Sequence, residues 1–399
     1  MGKVYSIRGP RRVLDMLSFE LRGVVRLSQV AGLALVALGG AHAEDAGTWK
    51  YSGFFDIYYG RDTRKIGANN TISYRQYDVR NTKLTAANAL LSVERTAGKG
   101  LPVGIVLQFS AGDATQLLHA ADPNGGRRTQ TLWQGYLTYN SGGNSPLTVD
   151  FGKFMSWIGY EGHTSADNDN YSRGILFYTA QPAYHTGFRA TKAVGGATVG
   201  LYGVLGWNEV ADSNQDKSYG ASVSLNPIKN ASLSLNYYGG REGRVMPGIR
   251  NSNSFGGIAQ GPGQWTVNLV DGILVYNASS KLKFAVNADY ASAKGQTVGG
   301  VATPGGTWYG FAGYAKYIIN EKFSLAGRAE TVHDTHGLRT GTDQTLGSLT
   351  ATLSYNVNPL ALARVEFRSD KSTSPVFLGE AGSAKSSRST WSVSYVLKF

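Results

Sequence analysis

Eight ionisable residues stand on the polar side of segments in which apolar and polar residues alternate: Arg189, Lys283, Asp289, Arg328, Glu330, Arg364, Glu366 and Arg368. Residues two apart in an extended chain share a face. Arg328 with Glu330, and Arg364 with Glu366 and Arg368, therefore present both signs of charge side by side. Lining a water-filled passage, such a ladder sorts solutes by charge; on the bland reading its members pair with one another and keep the face wet. Residues 155–182 form the longest link between alternating segments and carry Glu161, Asp167, Asp169 and Arg173. Folded inward, this acidic group would oppose the basic residues and narrow the passage. Folded outward, it would lie over a rim.

Catalytic chemistry finds little to use. Five histidines lie beyond residue 43: His119, His163, His185, His333 and His336. The run His333-Asp334-Thr335-His336 has a metal-like look, but no further histidine is near in sequence, and it reads as a surface turn. The chain has no Cys, which excludes disulfides and thiolate metal sites. No phosphate-cradling G-x-x-x-x-G-K loop occurs. No catalytic residue, cofactor or metal is expected.

The elements that must hold these residues are strands. In WKYSGFFDIYYG, Trp49, Tyr51, Phe55, Ile57 and Tyr59 share one face; in KLKFAVNADY, Leu282, Phe284, Val286, Ala288 and Tyr290 do. Sixteen such segments are expected, near 49–60, 84–95, 102–112, 130–140, 146–154, 183–193, 197–208, 217–226, 231–240, 265–277, 281–291, 307–318, 323–332, 345–355, 360–370 and 388–399. Links after even-numbered segments are short (NSGGN, VGG, NASS), while most links after odd-numbered ones are long. That asymmetry suits an antiparallel up-and-down β-barrel in an outer membrane, with short periplasmic turns and long external loops. A mean hydropathy of −0.22 does not oppose this, because half of each strand would face water. A soluble β-sandwich would also alternate, but its links need not alternate in length and its edges would need hiding. One segment conflicts with the pattern. In WTVNLVDGILVY, Trp265, Val267 and Leu269 continue onto Asp271, which would place a carboxylate in lipid. Either a bulge near Asp271 or an outer set of Val270, Leu274 and Tyr276 is expected.

Both termini carry export features. Arg22 and Arg26 precede the apolar run Val30 to Gly40 and the small-x-small site Ala41-His42-Ala43. Residues 1–43 are thus expected to be a cleaved signal peptide, with translation starting at Met1 or Met16, and residues 44–399 the barrel domain. Removing 1–43 takes away six basic and two acidic residues, lowering the net charge from +12 to +8. No run of five like charges remains, so nucleic acid is not an expected partner. At the other end, Trp391, Val393, Tyr395, Leu397 and Phe399 put a bulky side chain on every odd position. This resembles the C-terminal signature of outer-membrane proteins, and implies recognition by the barrel-assembly machinery. The final strand is expected to close the barrel against the first.

Several motifs in the central third are more specific. They are Gly152-Lys153, Gly159-Tyr160-Glu161, Asn170-Tyr171-Ser172-Arg173, Phe177, Pro182 with His185, Gly187 and Arg189, and Gly206-Trp207-Asn208. With the opening SGFFDIYYG they resemble the OmpL-like β-barrel porins (β-barrel porin 2), over about 49–210. Gly174 departs from the family's more usual Ser, and Leu205 from Asn. The resemblance implies an outer-membrane barrel in contact with lipid. A barrel of about sixteen strands is wide enough for a water-filled channel, so passive diffusion of small polar solutes is expected, through a monomer or homo-oligomer. The alternative is a barrel acting as an enzyme or adhesin through its long loops.

Overall fold

The computed structural model describes residues 48–399 except 65, 67–70, 98–99, 121, 123–130, 213, 243–264, 296, 299–300 and 303–304. The expected signal peptide, 1–43, lies outside the described residues. The barrel strands are β1 (Trp49–Asp62), β2 (Lys83–Arg95), β3 (Val103–Ala111), β4 (Leu132–Asn140), β5 (Leu147–Met155), β6 (Tyr184–Val194), β7 (Ala197–Val204) and β8 (Ser218–Ile228). They continue as β9 (Ala231–Glu242), β10 (Trp265–Asn277), β11 (Leu282–Gly295), β12 (Gly306–Ile318), β13 (Phe323–Asp334), β14 (Gln344–Asn358), β15 (Ala361–Ser372) and β16 (Ser387–Lys398). Every strand pairs antiparallel with its neighbours in chain order, and the sixteen close on themselves. Each expected segment coincides with one strand.

Closure is made by β16 against β1, with Phe55 opposite Leu397 and Arg61 opposite Trp391. The last residue joins this seam: Phe399 N donates to Gly53 O at 3.0 Å, and Gly53 N donates to Phe399 O at 3.1 Å. A closed cylinder leaves no strand edge unpaired, as a bilayer requires. Trp391, Val393, Tyr395, Leu397 and Phe399 all face outward. So do Phe151, Leu201 and Leu349, each about two-thirds exposed at 67%, 64% and 65%. Hydrocarbon is the solvent for that outer face.

The conflict in β10 resolves without a bulge. Its register runs unbroken against both β9 and β11. Val270, Leu274 and Tyr276 are the outer set, and Trp265, Val267, Leu269 and Asp271 point inward. The three apolar residues are buried there because the interior near the long loops is packed. Helix α1 (Asp113–His119) lays Leu117 and Leu118 in a cluster with Leu90 and Trp133. Helix α2 (Ile175–Ala180) places Ile175, Leu176 and Ala180 with Val267, Leu269, Trp308 and Val332. Both helices belong to links between strands.

Candidate functional site

The link 156–183, between β5 and β6, runs across the inside of the barrel. Its motifs step along the wall residue by residue. Gly159 N donates to Asp271 Oδ1 on β10 (3.2 Å), and Tyr160 N to Asn287 Oδ1 on β11 (3.1 Å). Glu161 takes an ion pair from Arg328 on β13 at 2.7 Å. Asn170 Nδ2 donates to Thr352 Oγ1 on β14 (2.8 Å). Tyr171 N and Ser172 N both donate to the Glu366 carboxylate on β15, at 2.7 and 3.1 Å. Ser165 Oγ donates to Asp56 on β1 (2.6 Å), and Lys398 Nζ on β16 donates to Ala166 O (3.1 Å). A buried backbone N–H needs a partner. Here the wall carboxylates and amides supply them.

Two glycines show how close the approach is. Gly159 has φ +95°, a conformation most side chains avoid, and a Cβ there would lie 2.0 Å from Gln181 Oε1. Gly174 donates its N–H to Glu161 Oε2 at 2.7 Å, and a Cβ would stand 2.5 Å from Glu330 Oε2. The departure from Ser at 174 thus has a steric reason. The neighbouring motifs fix the ends of the loop. His185 lies 3.2 Å from Ser156 Oγ and 3.0 Å from Gly206 O. Asn208 Oδ1 accepts from Ala183 N at 2.6 Å.

All eight wall residues expected from the alternation face inward. Arg328 is the hub: besides Glu161 it donates to Ser172 O (2.6 Å), Glu330 Oε1 (3.1 Å) and Thr350 Oγ1 (3.1 Å). Glu330 also accepts from Leu176 N at 3.0 Å. Arg364 donates to Ser165 O at 2.6 Å, and Arg368 to Arg173 O at 2.6 Å. Lys283 reaches Asp169 at 2.7 Å, and Asp289 accepts from Gln181 at 2.8 Å. Arg189 is separate: it pairs with Asp150 at 2.6 Å and lies over the Tyr136 and Phe154 rings.

The loop's own charges divide. Glu161 and Asp169 meet wall cations, whereas Asp167 is exposed and accepts from Thr164 within its own turn. Asp167 makes no ion pair with the wall: its carboxylate accepts within the turn Ser165–Asp167, and the residue lines a cavity together with Lys316. Arg173 folds back on the carbonyls of Gly162, Tyr171 and His163. His163 Nδ1 lies 2.6 Å from Tyr77 Oη, and burial, then the charges of Arg173 and Lys153, lower its pKa to about 3. It is neutral at pH 7. The His333–His336 run separates its two rings: His333 stacks on Tyr309, while His336 is exposed and its N–H donates to Asp343.

Several further residues of this interior are not among those that the alternation and the motifs single out. Lys316 joins Lys283 on Asp169, at 2.7 Å. Asp370 and Arg388 continue the inward faces of β15 and β16, and the alternation itself could have found them. Arg75 and Arg339 come from loops, where no periodicity marks them. Arg339 lies 4.9 and 5.0 Å from the Trp207 and Trp308 rings and donates to Thr179 O at 2.5 Å. On the short-turn side of the loop a cavity opens, lined by Asp167, Asp169, Lys316, Glu321, Ser354 and Asn356 among others.

A closed sixteen-stranded cylinder, apolar outside and charged within, with one link folded into its bore, defines an outer-membrane porin: a channel. The chain belongs to the family described as "Putative beta-barrel porin-2, OmpL-like", which matches residues 48–399. No curated protein sequence matches it. Among solved structures it is similar to the outer membrane channel DcaP of Acinetobacter baumannii (TM-score 0.59, 11% identity, 90% of this chain and 99% of that one). The anion-selective porin from Comamonas acidovorans gives TM-score 0.58 at 11% identity, over 88% and 99% of the two chains. A loop-deletion mutant of Vibrio cholerae OmpT gives 0.58 at 13%, over 89% and 100%. At these identities the likeness is one of fold.

Proposed function

We propose that this channel passes small polar solutes by passive diffusion, and that the 156–183 loop, docked on the wall of β10 to β15, sets its width and charge preference. The observation that carries this is the crossing itself: one loop bonds to Asp56 on β1 and to Glu366 on β15 while also reaching Asp271 on β10. Glu161, Asp169 and Arg173 on the loop, and Lys283, Asp289, Arg328, Glu330, Arg364, Glu366 and Arg368 on the wall, are its working residues. Arg189 lines the opposite side. Deleting residues 161–172 should raise single-channel conductance severalfold in a planar bilayer. Unchanged conductance would end the idea.

The reading is non-catalytic: the carboxylates of Glu161, Glu330 and Glu366 are all taken up in holding the loop. We further infer that residues 1–43 are removed on export, which the N-terminal sequence of the mature protein tests. The odd positions from Trp391 to Phe399 would serve as the assembly signal; Phe399→Ser should lower the yield of folded protein in the outer membrane. A homo-oligomer is the working expectation, supported by the trimer form described for one protein of this fold, Vibrio cholerae OmpT. Its mass in detergent checks it.

A further inference from the structure

Near the long-loop end, three guanidinium groups meet at one carboxylate. Arg368 and Asp370 stand two apart on the inward face of β15, and Arg388 on β16 is directly opposite Asp370 in the register. Arg75 arrives from the link between β1 and β2. Arg368 Nε lies 2.6 Å from Asp370 Oδ1; Arg388 Nε and Arg75 Nη2 lie 2.8 and 3.3 Å from Oδ2. All three arginine side chains are 1% exposed. Some of their remaining N–H groups find acceptors: Arg75 Nη2 on Thr390 Oγ1 (2.7 Å), Arg388 Nη1 on Ser73 Oγ (3.2 Å), and Arg368 Nη1 on Arg173 O (2.6 Å).

Four buried nitrogens do not. Arg75 Nε and Nη1, Arg368 Nη2 and Arg388 Nη2 have no hydrogen-bond partner among the described residues. Asp78, at 3.5 Å from Arg75 Nη1, adds charge without a good hydrogen bond. All three positive charges thus share one carboxylate, Asp370; Asp62 and Glu330 face Arg388 and Arg368 without a hydrogen bond to them, and donors are left over. Arg328, equally buried, has every nitrogen engaged. Arg364 and Arg339 leave one each, as Arg368 and Arg388 do, and Arg75 leaves two; the distinction of this cluster is that its spare donors belong to three arginines gathered on one carboxylate. A buried charged donor without an acceptor is strongly disfavoured. The spare donors suit an anion with several acceptor oxygens, the ligand for which guanidinium forks are shaped.

We propose that Arg75, Arg368 and Arg388 form a binding site for a small oxyanion, phosphate or the phosphate group of a solute, beside the place where Ser172 and Arg173 of the inward loop cross. Binding itself does not require conduction; only its use by a passing solute rests on the channel reading. The test is calorimetric titration of the full mature protein in detergent, at constant ionic strength in chloride, with inorganic phosphate and separately with glucose 6-phosphate. One saturable phosphate site per chain is expected. Response to phosphate alone marks a resident ion, and response to both marks a site open to solutes. Arg75→Gln and Arg388→Gln should each weaken binding at least tenfold, while Lys371→Gln, outward on the same strand as Arg368, leaves it unchanged. A second readout separates a ligand site from simple packing: Arg75→Gln should melt higher than the parent without phosphate and lower with it. Arg75 lies on a loop, so this variant serves even if Arg388→Gln fails to fold. No saturable binding to the parent protein, or equal binding by parent and Arg75→Gln, overturns the proposal.

Discussion

Replacing Arg328 by Gln tests whether the inward loop is held by the wall's charges. Arg328 is 2% exposed and joins Glu161 of the loop to Glu330 of the wall. Its loss leaves two carboxylates buried without their cation. Removing one partner of a buried ion pair costs about 3–5 kcal/mol. The β-ladder of the wall is unaffected, so most of this cost falls on loop docking, and undocking lets both carboxylates hydrate. At about 1.4 kcal/mol per decade, the undocked fraction should rise roughly 10²–10³-fold. The remaining ties, Glu366 to Tyr171 and Ser172 and Asp271 to Gly159, keep docking from being abolished. Bilayer recordings should then show frequent excursions to a larger conductance. The double variant with Glu161→Gln should be quieter than Arg328→Gln alone, since burial already pushes the Glu161 carboxyl pKa upward and the second change removes the stranded charge. Folding is followed independently by heat-modifiable gel mobility. A folded Arg328→Gln channel with parental current histograms would refute this account of the loop.

Three further outcomes follow from the same geometry. Gly174→Ser should weaken docking by about 1–3 kcal/mol, because its Cβ meets the carboxylates of Glu330 and Glu161; faster proteolysis within 156–183 is the readout, and a parental cleavage rate would count against it. Lys283→Gln with Lys316→Gln strips Asp169 of both cations, so the reversal potential in a salt gradient should move toward cation preference. His163 is held neutral when docked, with a pKa near 3 against about 6.5 when released, so protons favour release. Docking stability from this group is complete above pH 6.5 and falls as pH drops from there toward 3; current excursions should grow in that window, less so in His163→Gln. Facing groups from every side enter that comparison: Tyr77, Arg173, Lys153 and the Phe177 ring.

The strands were legible because lipid on one side and protein or water on the other enforce a period of two over long stretches. Lys283, Glu330 and Arg364 could be assigned inward on that ground alone. Their partners could not. Alternation says which way Glu366 points, but not that two successive N–H groups, those of Tyr171 and Ser172, will meet it from a loop almost two hundred residues earlier. Arg75 and Arg339 sit in links with no period at all, so nothing in their neighbours announced burial. The Gly159-Tyr160-Glu161 and Asn170-Tyr171-Ser172-Arg173 motifs marked the right segment, and the contacts now give their physical role.

The β10 conflict shows why facing inward does not mean facing water. Along its inner face the strand passes from Trp265, Val267 and Leu269 to Asp271. On β13 the inner sequence runs the other way, from Ala326 through Arg328 and Glu330 to Val332. Because adjacent links alternate between ends, both place an apolar residue, Leu269 or Val332, on the long-loop side of charge at mid-height, and β13 then ends inward on buried Asp334. The cavity lined by Lys316, Ser324 and Asn356 lies toward the short turns. On this side the bore is graded along its height: apolar packing around α2, a charged belt gripping the loop, then a polar cavity; at β15 and β16 the long-loop end instead carries Arg368, Asp370 and Arg388. Lipid solvates the outer face uniformly, so its pattern is simple. The inner face meets folded loop at one end and a polar cavity at the other, so its pattern varies with height and with position around the wall.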